Sequence, residues 1–222
     1  MEFNLKDFKF YTYMTESFSQ MVMKLNRKEI NMVKDMISSL ISSYKKVKKE
    51  YDGPSIAYHF HENIDKHTTS MIEKGKEEGK IVACGNNCGF CCFQKVDITS
   101  DEALLINGIV KENNIELDKD VMMKQTACSN SKEYMELSAK DRKCIFLDKN
   151  MSCKIYKYRP GSCRTVLVIS DPKKCDTEKH KKGQITRLNG ILAESVLISI
   201  HMAAEKTGGM TEMLIKYKNK DE

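Results

Sequence analysis

All nine cysteines of this chain lie between residues 84 and 175, and four of them fall within nine residues, CGNNCGFCC from Cys84 to Cys92. No other feature limits the fold as sharply. Thiols this dense must be oxidised in pairs, ligate a metal, or be packed away. Cys91 and Cys92 are adjacent, so their side chains are expected to diverge, and one ion does not easily take both. Three more, Cys144, Cys153 and Cys163, follow within a short stretch, and Cys175 trails them. Cys128 stands alone and is read as an ordinary packed or surface thiol.

The compartment decides between disulfides and metal. MEFNLKDFKFYTY has no positive start followed by an apolar run and a small-residue cleavage site, so no secretory signal is expected. The most apolar run, ILAESVLISIHMAA, is interrupted by Glu194 and His201 and is too short and polar to span a bilayer. A soluble, cytoplasmic protein with no membrane association is expected, and in a reducing compartment such cysteines favour metal over disulfides. The net charge of +6 comes from dispersed lysine runs such as KKVKKE and KHKKG. No basic stripe with interleaved aromatics accompanies it, so no nucleic-acid partner is expected.

At 222 residues, 41% of them hydrophobic, the chain can bury a sizeable core. One domain, 1–222, is expected, with a cysteine-cluster region, 84–175, inside it. Asn26 with Glu29 three residues on reads as a capping box. Ile30, Val33, Met36, Ile37, Leu40, Ile41, Tyr44 and Val47 then repeat on a helical period. Gly53-Pro54 should end this helix and Ser55 should cap the next, which carries Ile56, Phe60, Ile64, Met71 and Ile72 and frays at Gly75 and Gly79. A third helical block, about 184–206 and stopping at Gly208-Gly209, is apolar on most sides, as in a helix packed amid others. Between these blocks, Thr99 to Glu102 caps a short helix, and one helix is expected over 118–138. CIFLD and CKIYKY, around Lys149-Asn150-Met151, read as a small hairpin. The fold class is therefore mainly α: a helical domain with a small cysteine-rich loop and β-hairpin insert that binds metal.

Thiolates suit zinc, iron–sulfur clusters and Cu(I). Spacings of C-x3-C and C-x2-C let one loop wrap a centre, with Gly85 and Gly89 permitting tight turns. Cys84, Cys88, Cys91, Cys92, Cys144, Cys153, Cys163 and Cys175 make eight candidate ligands. Eight thiols suffice for two four-thiolate sites or for an iron–sulfur cluster beside a zinc, and one site with spare thiols is equally compatible. The two clusters are expected to fold against each other and share ligands. Structural zinc contributes on the order of 10 kcal/mol to folding in small modules, enough to hold an insert with little core. Arg159 and Arg164, beside Cys163, would offset thiolate charge, or else form ion pairs. Phe146 and Tyr156 should pack beneath the hairpin. His59, His61, His67 and His201 read as surface or packed histidines, and His180 is kept as an outside ligand candidate. No acid/base pair or nucleophile triad stands out, so catalytic residues stay unassigned.

CGNNCGFC is similar to the three-cysteine signature of radical-SAM enzymes, but here it follows 83 mostly helical residues, with no alternating strands after it. A second resemblance covers about residues 84–170. CGNNCGFCC, followed by Cys144 with Phe146 and Leu147, Cys153 with Ile155 and Tyr156, Arg159-Pro160 and Cys163-Arg164, resembles the YkgJ-type cysteine-cluster (CxxCxxCC) family. The segment DITSDEALLI resembles that family's short helix after the first cluster. The first cysteine gap is three residues here rather than two. The resemblance implies cysteine ligation of zinc or iron, including an iron–sulfur cluster, with no assigned catalysis. One related branch resembles flagellin lysine-N-methylases, which implies S-adenosylmethionine as cofactor and a protein as substrate. That chemistry rests on the family likeness alone. A zinc-stabilised module that binds a protein partner is a third reading.

Overall fold

A computed structural model describes residues 15–176 and 185–218. Along the chain, α1 (Glu16–Val22) leads to α2 (Arg27–Val47). The Asn26 side chain accepts from Lys28 N and Glu29 N, and Glu29 Oε2 accepts from Asn26 N at 2.8 Å. This is the capping box that the sequence predicts, and the buried face of α2, with Ile30, Val33, Ile37 and Tyr44, follows the expected period. Helix α3 (Gly53–Glu77) begins three residues earlier than a Ser55 cap would place it. Asp52 is the cap, accepting from Ser55 N at 3.0 Å, and Pro54 occupies the first turn, where its missing N–H leaves no bond unmade. Gly79, at φ 73°, turns the chain away just past the helix end.

The strand β1 (Asp97–Thr99) runs directly into α4 (Ser100–Glu112), whose cap is the reciprocal pair Thr99 and Glu102. The single helix expected over 118–138 is in fact two, α5 (Lys119–Thr126) and α6 (Ser131–Glu136). Asn130 breaks it by accepting from Lys132 N and Glu133 N, an N-cap geometry incompatible with continuing the helix. Cys128 therefore lies in a connection, not on a helix, and its thiol donates to Lys124 O at 3.5 Å. Two single-turn helices, α7 (Ala139–Arg142) and α8 (Gly161–Arg164), flank the expected hairpin. That hairpin is reduced to one antiparallel bridge, Leu147 to Cys153, around a turn with Met151 at φ 60°. Asp148 explains its brevity. Its carboxylate accepts from Asn150 N and Ser152 N and so curls the turn locally instead of extending strands.

Helix α9 (Ile191–Ala203) is buried continuously from Ala193 to Ile200, as its all-round apolar sequence requires. It is shorter than the block expected over 184–206. Arg187 bridges Val168 in extended conformation before it, and β2 (Thr207–Gly209) follows it. The glycines expected only to stop the helix instead form β2, antiparallel to β1 with Ile98 opposite Gly208. Helix α10 (Met210–Lys216) closes the described chain.

Two apolar masses result. In one, α9 packs between α1, α2 and α3, burying Phe18, Ile37, Ile64, Val196 and Ile198. In the other, Ile98, Ile106, Met213 and Leu214 from β1, α4 and α10 meet Phe146 and Ile155 from the cysteine-rich stretch. Contacts between α3 and α4 join the two. Among the described residues, no helix is long and apolar enough to cross a membrane.

Candidate metal centre

The first cysteine segment is a loop that ends in a single 3-10 turn, Phe90–Phe93. The second comprises the 144–153 turn and helix α8, and Cys175 ends another 3-10 turn, Pro172–Cys175, that packs against the first. Hydrogen bonds tie the segments together. Cys144 N donates to Cys92 O at 2.8 Å, and Ser152 Oγ donates to Asn87 Oδ1 at 2.7 Å. Cys84 joins from a third side, where Ala83 N donates to Val168 O at 2.8 Å and Val168 N donates to Cys84 Sγ at 3.2 Å.

Backbone N–H groups turn toward the sulfurs in a repeated pattern. Phe90 N–H serves Cys88, Phe146 N–H serves Cys144, and Ile155 N–H serves Cys153, each two residues on from its cysteine. The apolar residue at that position anchors the turn: Phe146 is 1% exposed and Ile155 2%. The C-x-F and C-x-I spacings thus bury one side chain and aim one amide at one sulfur. Donation of this kind favours a charged sulfur.

Cys91 lies amid the other thiols. Its own pKa stands well above the usual thiol value, first through a hydrogen bond with the Cys92 thiol and then through burial. The two neighbours therefore do not diverge as expected, because the tight 3-10 turn folds them toward each other. Burial raises the Cys84, Cys88, Cys144, Cys153, Cys163 and Cys175 thiols too, Cys144 to about 12 and Cys175 to about 11. For each of these six, negative charge on Cys91 raises it further. Raised values run opposite to those of an activated nucleophile. They are what a buried thiol has when deprotonation requires a cation, and metal binding supplies one by displacing the proton.

Two arginines face the thiols. Arg159, stacked over the Tyr156 ring with Cζ 4.0 Å from its centroid, pulls down Cys84, Cys153 and Cys163. Arg187 does the same for Cys84, Cys91 and Cys175. Nothing in its local sequence marks Arg187. Only the Val168 bridge carries it to the cluster. Arg164, expected beside Arg159 in this role, is instead buried and taken up by structure. Its Nε donates to Arg159 O at 2.8 Å, Nη2 to Lys157 O at 2.5 Å, and Nη1 pairs with Asp65. Tyr156 lies under Arg159 rather than in the core.

Among the described residues, no group of three His, Cys, Asp or Glu side chains stands in a finished metal-holding arrangement. The Cys91 thiol interacts with those of Cys84, Cys88, Cys92, Cys144, Cys153, Cys163 and Cys175. Their chemistry fits the group: soft donors, amide N–H groups on sulfur, and two guanidinium groups to offset charge. His180 lies outside the described residues. His59 and His67 sit on α3 and His201 on α9. His61, also on α3, is buried at 3% exposure against Glu102, so it is a packed histidine.

Residues 83–187 match the model of the CxxCxxCC family. That family is described as a "putative zinc- or iron-chelating domain". The match opens one residue before Cys84 and ends on Arg187, so the CxxCxxCC segment takes in all eight thiols and both arginines that face them. No curated protein and no solved structure matches the chain.

Proposed function

We propose that the CxxCxxCC segment is a metal centre in which Cys84, Cys88, Cys91, Cys92, Cys144, Cys153, Cys163 and Cys175 supply thiolates to zinc or to an iron–sulfur cluster. The observation that carries this is the docking of two cysteine segments, distant in sequence, through the 2.8 Å bond from Cys144 N to Cys92 O. It joins the two cysteine segments, whose sulfurs are served by backbone amides and by Arg159 and Arg187. Zinc would fasten the segment to the helices, while an iron–sulfur cluster would add one-electron chemistry.

Elemental analysis of anaerobically purified protein, with its visible spectrum, tests the proposal. Stoichiometric zinc in a colourless sample, or iron with inorganic sulfide in a brown one, is the expected result and chooses between the two. A preparation with neither metal overturns it. The zinc-stabilised interaction module is the zinc outcome joined to a protein partner. The lysine-methylase reading adds S-adenosylmethionine, which calorimetric titration of the purified protein tests directly.

A further inference from the structure

Beneath the cysteine cluster, and outside every cysteine spacing, the carboxylate of Glu102 sits 3% exposed at the start of α4. Both its oxygens are engaged. Oε2 accepts from Thr99 N at 2.9 Å and from Thr99 Oγ1 at 3.2 Å. Oε1 accepts from Gly161 N at 2.7 Å and lies 3.0 Å from His61 Nε2 on α3. Gly161 opens the turn that carries Cys163, and it lies close to its neighbours: a Cβ there would stand 3.0 Å from Ile64 Cδ1 and from Leu197 Cδ1. Four residues further into α3, Asp65 grips Arg164 from the other side of Cys163.

We infer that Glu102, with His61 behind it and Asp65–Arg164 beside it, is a positioning residue for the metal centre, clamping the Gly161–Arg164 turn to α3 and α4 so that Cys163 is held toward the other thiols. A capping carboxylate needs only Thr99, and the second oxygen is directed at a different element altogether. Glutamine has the same shape but cannot replace it. Its amide group must face either Thr99 N–H or Gly161 N–H, and either choice leaves one buried backbone donor without an acceptor.

The inference rests on the metal-centre reading, and the experiment separates the two. The full chain is stripped of metal under reducing conditions and titrated with Co2+ against a competing chelator, with the visible spectrum recorded. Relative to the unaltered protein, Glu102→Gln is expected to weaken Co2+ binding by about tenfold or more, in the range seen for residues that orient ligands, and to alter the cobalt bands. Ile198→Val, in the helical core away from the thiols, is expected to lower stability and leave both readouts unchanged. Unchanged affinity and bands in Glu102→Gln overturn the positioning role. Should that variant fail to fold, Asp65→Asn, at a half-exposed position, carries the test, with weakened binding supporting the clamp and unchanged binding overturning it. An unaltered protein that takes up no Co2+ in thiolate coordination, and that carries neither zinc nor iron when purified anaerobically, overturns the metal-centre reading itself, and the clamp with it.

Discussion

Glu102 shows how a buried charge is tolerated in this molecule. Burial pushes its pKa up, but the His61 hydrogen bond, the nearby His61 and His201 rings and the Gly161 N–H outweigh burial and bring it from 4.5 to about 2. The sign of the consequence follows from linkage. Above pH 4.5 the group is ionised in both folded and unfolded chains, and its stabilisation is fully present. Between 4.5 and about 2 the unfolded chain binds the proton first, and the stabilisation is lost. The neighbouring Asp101 acts in the opposite sense. Burial raises its pKa despite the hydrogen bond from Tyr44, so its share of the cost eases as pH falls. Urea midpoints measured from pH 6 down to about 3 should therefore fall more steeply for the unaltered protein than for Glu102→Gln. Parallel curves would contradict this account of the carboxylate. Little of this was legible in the sequence. Thr99 and Glu102 read clearly as a cap, but a cap is local, and the His61 and Gly161 partners lie 41 and 59 residues away.

At the scale of elements, residues that act within one helical turn were the legible ones. The capping box at Asn26, the apolar face of α2 and the all-round burial of α9 all follow from spacing alone. The failures occur where a side chain bonds to the backbone and shifts an element's boundary: Asp52 opening α3, Asn130 between α5 and α6, Asp148 in the reduced hairpin. These residues suit loop and cap equally, and which role wins depends on the neighbouring packing. The joint between the two cysteine elements is a close approach of this kind. A Cβ at Gly89 would stand 2.6 Å from Leu147 Cδ1 and 3.0 Å from Met151 O. Leu147 is itself buried, and Met151 O belongs to the backbone, so neither yields easily. Gly89→Ala should lower stability by about 1–3 kcal/mol through overpacking and reduce metal content in the same preparation. Measured urea unfolding with unchanged stability and full metal content would mean that the two loops do not meet at this glycine.

In the whole molecule, helices on one side and a cysteine-rich half on the other share the contact between α3 and α4, with Glu102 and Asp65 reaching across it to the turn that bears Cys163. The second apolar mass shows why the thiols sit where they do. Phe146 and Ile155 are buried in it, and their cysteine neighbours Cys144 and Cys153 are left at its edge. The sequence made the density of the cysteines plain, along with their two-part spacing. It could not supply Arg187, nor the closeness of Cys91 and Cys92, since both depend on where distant or tightly wound backbone happens to run. The central claim is that the two cysteine segments hold metal jointly. Metal per chain, measured on anaerobically purified Cys88→Ser and Cys163→Ser beside the unaltered protein, tests it most directly. The account predicts that each substitution, one in either segment, lowers the bound zinc or iron. Full metal content in either variant would contradict it.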